Sequence, residues 1–244
     1  DVYKRQVFSN HRLNNDASFE IGSYIYWGGP NRFSPENRAE IATQGATDSA
    51  VFDLNGDGYL DLLFSNFRDN TSREAESWIY WGSSTGYDGA NRTSLPTQGA
   101  TTNSIGDLDK DGFVDIVFSQ FRSESTYQVG SEIYWGSGAG FTTDNHTTLD
   151  TIGAVGNSLA DLNRDGWLDI VFSNFMSSQG FQQDSWIYWG SAGGYSSDRR
   201  TALPTLGAYD NTVVGGMLPY GHKGLGTCLL YTSPSPRDRT RSRM

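Results

Sequence analysis

Three short acidic segments contain the residues of this chain that are best suited to chemistry. Their sequences are DLNGDGYLD, DLDKDGFVD and DLNRDGWLD, and they begin at Asp53, Asp107 and Asp161. Each segment places oxygen-bearing side chains at alternate positions around a glycine, and none contains an imidazole or a thiol. A tight loop of oxygen donors suits a hard divalent cation, of which calcium is the best example. The sequence therefore predicts three calcium loops.

The predicted ligands occupy the same five loop positions in every segment. Side chains at the first, third, fifth and ninth positions and the backbone carbonyl at the seventh would supply the oxygens. Carboxylates crowded this closely repel one another unless a cation lies among them. We expect one Ca²⁺ in each loop, three in all. The predicted ligands are Asp53, Asn55, Asp57, Tyr59 and Asp61; Asp107, Asp109, Asp111, Phe113 and Asp115; and Asp161, Asn163, Asp165, Trp167 and Asp169.

An EF-hand is the main alternative for an acidic loop of this kind. It needs a glutamate at the twelfth loop position and a helix on either side. The twelfth positions here are Phe64, Phe118 and Phe172, and the flanking residues are typical of strands. The sequence therefore excludes an EF-hand.

The acidic segments belong to a repeat that recurs every 54 residues. Three complete units span 45–98, 99–152 and 153–206, a partial unit spans 7–44, and 207–214 begins the next. Two further markers keep the same phase: IYWG begins at Ile25, Ile79, Ile133 and Ile187, and Gly-Ala begins at Gly45, Gly99, Gly153 and Gly207. A fixed period of this size indicates a repeat architecture.

Each unit is predicted to form four short strands. In the first complete unit they are ATDSAVFD, LDLLFSNF, SWIYWG and NRTSLPT, which are rich in β-branched and aromatic residues. The segment 35–42 alone has a helix signal, but its counterparts in the other units do not, so we predict a strand there too. Repeated four-stranded units indicate an all-β fold, a β-propeller with about 4–8 blades, of which this chain holds an incomplete set.

The two ends of the chain do not fit the repeat. DVYKRQ at 1–6 and the segment 228–244, which begins CLLYTSPSPRD, both resemble translated sequencing adapters. We expect neither to be native, and we exclude both from reasoning about the fold. The origin of 215–227 is left open, as is the presence of a signal peptide.

Composition limits the partners that can be expected. The net charge is −10, and the excluded ends contain six basic but only two acidic residues, so the repeat region is more acidic still. Such acidity argues against nucleic acid as a partner. No apolar run is long enough for a membrane span. The single cysteine, Cys228, lies in an excluded end, which argues against disulfides in the repeat region.

The acidic loop also carries a family resemblance. The pattern D-x-[DN]-x-D-G-x-x-D between two strands, with Gly-Ala ahead of it, resembles the FG-GAP repeat of integrin α-chain propellers and of bacterial VCBS- or FG-GAP-repeat proteins. The resemblance extends from about Val7 to Val214. It implies that the loop joins the first two strands of a blade and binds calcium on one face of the propeller. The FG half of the pattern is poorly represented, so integrin-like ligand specificity is not carried over.

The predicted function is binding or adhesion, not catalysis. His11, His146 and His222 share no motif, and the paired carboxylates all lie in the predicted calcium loops. We expect an extracellular, cell-surface or periplasmic module with a protein or carbohydrate ligand. The alternative is an accessory or scaffold propeller of a polysaccharide-degrading or other hydrolytic enzyme.

The ligand is expected on the face opposite the calcium loops. There the variable segments between the second and third strands would emerge, and loops on a rigid scaffold often carry specificity. The residues to test are Arg68, Arg73, Arg122, Tyr127, Phe181 and Gln183. The repeated Trp27, Trp81, Trp135 and Trp189 are predicted to lie in the core. Trp78 and Trp186, which do not recur in every unit, are the better candidates for an exposed role.

Overall fold

The computed structural model describes residues 5–12, 18–29 and 33–213, and these residues form antiparallel sheets. The first sheet contains β1 (Arg5–Phe8), β2 (Ser23–Trp27) and β3 (Arg38–Ile41). The second contains β4 (Ala46–Phe52), β5 (Asp61–Asn66), β6 (Glu76–Tyr80) and β7 (Arg92–Pro96). The third contains β8 (Ala100–Gly106), β9 (Asp115–Gln120), β10 (Ser131–Tyr134) and β11 (His146–Leu149). The fourth contains β12 (Ala154–Ala160), β13 (Asp169–Asn174), β14 (Ser185–Tyr188) and β15 (Arg200–Leu203), and a 3-10 turn at Ser197–Arg199 precedes β15.

Strands that follow one another in the chain pair with one another, and each of the four sheets is a propeller blade. The predicted all-β propeller fold is therefore confirmed. In the first sheet the segment predicted as a strand from its counterparts contains β3, despite its local helix signal. No helix among the described residues is long and apolar enough to cross a membrane. The predictions for 1–4 and 214–244 fall outside the described residues.

The Gly-Ala pair at the start of each complete unit has a steric cause. Gly99 has a φ of 59°, and a Cβ placed on it would lie 2.6 Å from the carbonyl oxygen of Arg122. Only glycine tolerates both the left-handed backbone and that approach. Ala100, which follows, is completely buried. A bulge between Ala100 and Thr102 then bends the first strand of the sheet.

Hydrophobic side chains from neighbouring sheets form the core. The cluster between the second and third sheets contains Ile79 and Leu95 from one sheet and Phe118 and Tyr134 from the next, all 1% exposed or less. Equivalent clusters join the first sheet to the second and the third to the fourth. Each blade is thus stabilised mainly by its neighbours, as expected for repeat proteins.

The tyrosine of IYWG links successive blades. The hydroxyl of Tyr134 donates to the carbonyl oxygen of Pro96, at the end of the preceding sheet, over 2.6 Å. Tyr80 and Tyr188 make the same bond one blade earlier and one blade later, over 2.8 and 2.6 Å. The repeated tyrosine therefore fixes the position of each blade relative to the one before it.

The first strands of neighbouring sheets lie side by side. Thr47 in β4 donates its hydroxyl to the carbonyl oxygen of Ala100 in β8 over 2.9 Å. The amide of Asn103 donates 3.0 Å to a carboxylate oxygen of Asp48, while its side chain donates 2.8 Å to the Ser65 hydroxyl. Burial raises the pKa of Asp48, although the hydrogen bonds that its carboxylate accepts from the backbone amides of Asn103 and Ser49 partly offset the effect. Polar side chains thus connect the blades along their first strands.

Candidate calcium loops

The acidic loops join the first and second strands of each complete sheet, at 53–60, 107–114 and 161–168. The loop between β4 and β5 is organised by its own backbone. The amides of Asp57 and Gly58 donate to the two carboxylate oxygens of Asp53 over 3.1 and 2.9 Å. The amide of Tyr59 donates to Asp57 over 2.8 Å. The third loop repeats these bonds at 3.1, 2.9 and 2.8 Å. The sequence pattern therefore closes the same turn in both loops.

The aspartate at the ninth loop position is completely buried in every complete unit. One oxygen of Asp61 accepts from the amide of Leu54 and the other from the amide of Gly82, both over 2.8 Å. Asp115 and Asp169 accept from the equivalent amides over 2.7 to 2.9 Å. This carboxylate therefore ties the acidic loop to the end of the third strand.

The glycine of IYWG is needed for that connection. A Cβ on Gly136 would lie 2.1 Å from the carbonyl oxygen of Val114, which is too close for any side chain. The same approach occurs at Gly82 and Gly190. The recurrence of this glycine in all four IYWG segments was visible in the sequence, but its link to the acidic loop depends on the fold.

Burial controls the protonation of the ninth-position aspartates. It raises the pKa of Asp61 to about 6 and that of Asp115 to about 7, and it raises the pKa of Asp169 as well. The backbone donors oppose this effect, while the neighbouring loop carboxylates add to it. A cation in the loop would favour the charged form of these groups.

The middle loop has the most complete set of anionic donors. Asp107, Asp109 and Asp115 each place a carboxylate oxygen within 4.8 Å of the others. The Oδ1 atom of Asp107 is buried and has no hydrogen-bond partner in the structure. A buried carboxylate oxygen without a partner is costly, so an ion or a water molecule is expected to meet it. With its all-oxygen donor set, the middle loop fits calcium.

The outer two loops have asparagine at the third position instead of aspartate. The side-chain amides of Asn55 and Asn163 donate to Asp57 and Asp165 over 3.0 and 2.9 Å. Their oxygens accept from the backbone amides of the same two aspartates. These loops hold the same fold with one less negative charge, so we expect weaker cation binding there than in the middle loop.

The seventh loop position carries an aromatic side chain at the rim. Tyr59 and Phe113 are 43% and 42% exposed. The ring of Trp167 is partly covered by the Lys110 ammonium group of the preceding blade, 4.1 Å from its centroid. Lys110 has a left-handed backbone with a φ of 65°. This contact between loops was missed from the sequence, because Gly56 and Arg164 occupy the equivalent positions in the other units.

The opposite face carries a row of aromatic rings that we name the aromatic arc: His11, Phe67, Phe121 and Phe175. Successive ring centroids along it lie 5.5, 6.4 and 6.3 Å apart. Each of the three phenylalanines ends an FSNF or FSQF segment, and all are half-buried. The repeat could have revealed these positions, but not their contact across blades.

Two of the six residues predicted to bind ligand pack directly on this arc. Tyr127 and Phe181 pack edge-on against Phe121 and Phe175, at centroid distances of 5.2 and 5.1 Å. The guanidinium of Arg122 lies 4.7 Å above the Tyr127 ring. Phe181 is 49% exposed.

The other three residues make contacts that hold the face together. Arg73 pairs with Glu124 of the next blade over 2.7 Å. Arg68 lies 4.8 Å above the ring of Phe19. The carbonyl oxygen of Gln183 accepts from Thr205 over 2.7 Å.

The tryptophan predictions divide into two groups. Trp27, Trp81 and Trp135 are partly buried against the inter-blade cores, as predicted, and Trp189 is half-buried. The exposure predicted for Trp78 is wrong, because that residue is only 6% exposed. The preceding sheet packs on it, and the guanidinium of Arg92 lies 3.8 Å above its ring.

Trp186 is less buried than Trp78 but has the same arginine contact. It is half-buried, and Arg200 lies 3.8 Å above its ring.

Comparison with known families bears directly on the loops. The family model described as FG-GAP-like repeat matches residues 53–118. These residues form FG-GAP-like repeats. The matched stretch begins at Asp53, the first residue of the first loop, and ends in β9, so it contains the first two acidic loops and the strands β5 to β8 between them. A search of the curated proteins found no match.

Proposed function

We propose that this chain is a calcium-stabilised segment of an FG-GAP propeller that binds its ligand on the face opposite the calcium loops. The role is non-catalytic, and the calcium ions are structural. The observation that carries the proposal is the middle loop, where three carboxylates converge within 4.8 Å and the Asp107 Oδ1 atom has no partner.

The loop carboxylates favour a structural role over a catalytic one. The ninth-position aspartates are completely buried and hold backbone amides with both oxygens. A group held in this way fixes the second strand, the third strand and the loop together. A cation bound beside it would offset the repulsion among the carboxylates and so stabilise the junction of the three elements.

The aromatic arc supports a ligand site on the opposite face. Aromatic rings with nearby arginines suit both protein surfaces and sugars, because they combine apolar area with hydrogen-bond donors. Phe181 is 49% exposed and is the more exposed of the two aromatic residues, Tyr127 and Phe181, that are named for testing there. We propose a protein or carbohydrate ligand on this surface.

The setting follows from the affinity expected of such loops. Extracellular calcium modules bind in the range of about 10⁻⁴–10⁻³ M, which suits a calcium-rich environment. We therefore propose that the protein is extracellular, on a cell surface or periplasmic. FG-GAP repeats are typical of extracellular proteins, which supports this location.

Chelation tests the structural role of calcium. The melting temperature of the full chain would be measured in EDTA and again after addition of millimolar CaCl₂, with MgCl₂ as the comparison. We expect calcium to raise the melting temperature and magnesium to raise it much less, because magnesium demands a stricter octahedral geometry. Equal melting temperatures in EDTA and calcium would overturn the structural role.

A glycan array tests the carbohydrate half of the ligand proposal. The wild type would be compared with Phe181→Ala on the proposed face and with Tyr59→Ala on the calcium-loop face, since both side chains are more than 40% exposed. Binding lost only in Phe181→Ala supports the proposed face, and binding lost only in Tyr59→Ala contradicts it. An array without signal would rule out the carbohydrate class represented on it.

A further inference from the structure

The side chain of Lys110 reaches from the middle loop to the third loop. Lys110 is the fourth residue of the middle loop, and its ammonium group lies 4.1 Å from the centroid of the Trp167 ring. A Cβ placed on Gly166 would lie 3.3 Å from the same nitrogen atom. The ammonium group therefore lies beside the sixth and seventh positions of the third loop, next in sequence to the predicted ligand Asp165.

The equivalent points of the first and middle loops are open. A Cβ placed on Gly58 or Gly112 would have no neighbour within 4 Å. Tyr59 and Phe113 are 43% and 42% exposed, whereas Trp167 is half-buried. The lysine contact thus distinguishes the third loop from the other two.

The turn of the middle loop does not itself require a lysine. Lys110 has a φ of 65°, in the left-handed region that residues with a Cβ rarely adopt. Gly56 holds the same position of the first loop with a φ of 73° and without that steric cost. The lysine side chain therefore adds something to the loop that the turn does not need.

The charge of Lys110 favours the third loop without a metal ion. It interacts favourably with the carboxylate of Asp165, the fifth residue of that loop. A calcium ion bound there would bring two positive charges close to the ammonium group, and like charges repel. The same lysine therefore stabilises the empty loop and opposes its occupation.

We propose that Lys110 acts as a tethered cation that lowers the calcium affinity of the third loop. This inference rests on the calcium role proposed above for the acidic loops. The first and third loops have the same predicted side-chain ligands, aspartate, asparagine, aspartate and aspartate. A cation supplied by the neighbouring blade gives two loops with the same ligands different affinities.

Terbium luminescence measures the third loop separately. Tb³⁺ is a hard cation that takes oxygen-rich calcium sites, and a nearby indole transfers excitation energy to it. Light that excites tryptophan alone would report terbium beside Trp167, since Tyr59 and Phe113 hold that position in the other loops. Displacement of terbium by CaCl₂ gives the calcium dissociation constant. Trp167→Phe measures the background from the other tryptophans.

Two variants of Lys110 separate its charge from its size. Lys110→Met keeps a long side chain but removes the charge, so calcium should bind to the third loop about two- to five-fold more tightly at low ionic strength. The gain should shrink at high salt, because salt screens exposed charges. Lys110→Arg is the matched control: it keeps the charge and should bind calcium as the wild type does.

A second reporter measures the middle loop, to which Lys110 itself belongs. Phe113→Trp in a Trp167→Phe background places the only seventh-position indole in the middle loop. Because the ammonium group lies over the third loop, Lys110→Met should change the middle-loop affinity less than the third-loop affinity. In EDTA, Lys110→Met should lower the melting temperature, since it removes favourable contacts with Trp167 and Asp165. A role in folding alone would lower the melting temperature equally with and without calcium.

The possible failures of the two proposals differ. Equal third-loop calcium affinities in the wild type and Lys110→Met would overturn this inference and leave the calcium role intact. A larger effect on the middle loop, or a Lys110→Arg variant that behaves like Lys110→Met, would overturn it as well. A wild type that binds neither terbium nor calcium would overturn the calcium role and this inference together.

Discussion

Asp107→Asn should remove the calcium-dependent part of the stability of the middle loop while sparing the metal-free fold. The change keeps the size of the side chain but removes one of the three converging carboxylates. Calcium affinity depends on the charge of the ligands. Without calcium the variant loses a repulsive charge, so its stability in EDTA should equal or exceed that of the wild type.

The size of the effect follows from linkage. A site with a dissociation constant of about 10⁻⁴–10⁻³ M in 10 mM calcium stabilises the folded state by about 1.4–2.7 kcal/mol. For a chain of this size that corresponds to about 3–11 °C in melting temperature. We expect the variant to lose most of the contribution of this one loop, while the other two loops keep theirs.

Differential scanning calorimetry in EDTA and in 10 mM CaCl₂ measures this difference. Asp144→Asn is the matched control, because Asp144 is exposed and lies outside the loops. Equal gains from calcium in Asp107→Asn and the wild type would contradict this prediction. An equal loss of stability in EDTA and in calcium would also contradict it, since the aspartate would then act only through the fold.

Three further predictions concern the other contacts of the blades. Burial raises the pKa of Asp115 to about 7, so the folded state binds more protons than the unfolded state. The free energy of unfolding in EDTA should therefore fall from pH 4 to pH 7. Urea denaturation at each pH measures this fall. Gly136→Ala would place its Cβ 2.1 Å from the Val114 carbonyl oxygen and should lower the free energy of unfolding by about 1–3 kcal/mol. Gly138→Ala should be nearly neutral, because its Cβ would lie 3.4 Å from the nearest neighbour. Equal urea midpoints for the two variants would contradict the steric argument. Tyr134→Phe removes the hydrogen bond to the preceding blade and should lower the free energy of unfolding by about 0.5–1.5 kcal/mol. An unchanged urea midpoint would show that this bond does not stabilise the contact between the blades.

The repeat made most of the strands predictable. Because the markers kept one phase, the strand assignment of one unit transferred to the others. The repeat also outweighed the helix signal at 35–42, the segment that contains β3. The same logic explains the error at Trp78. Its variation between units suggested exposure, but the strand places it toward the preceding blade, and Arg92 covers its ring.

The connections between repeats were beyond sequence reasoning. The bond from the Gly82 amide to Asp61 joins residues of one unit whose proximity depends on how the third strand lies against the loop. The contacts of Phe67 with Phe121, and of Lys110 with Trp167, depend on the rotation from one blade to the next. A repeat predicts what each unit contains, whereas the rotation between units is a property of the packed cores.

The number of calcium ions bound by the full chain decides whether the acidic loops are calcium sites. Equilibrium dialysis of metal-free protein against radioactive calcium at millimolar concentration counts them. We expect three ions for each chain, with the Asp107→Asn variant approaching two. A wild type that binds no calcium at these concentrations would contradict the claim that the acidic loops are calcium sites.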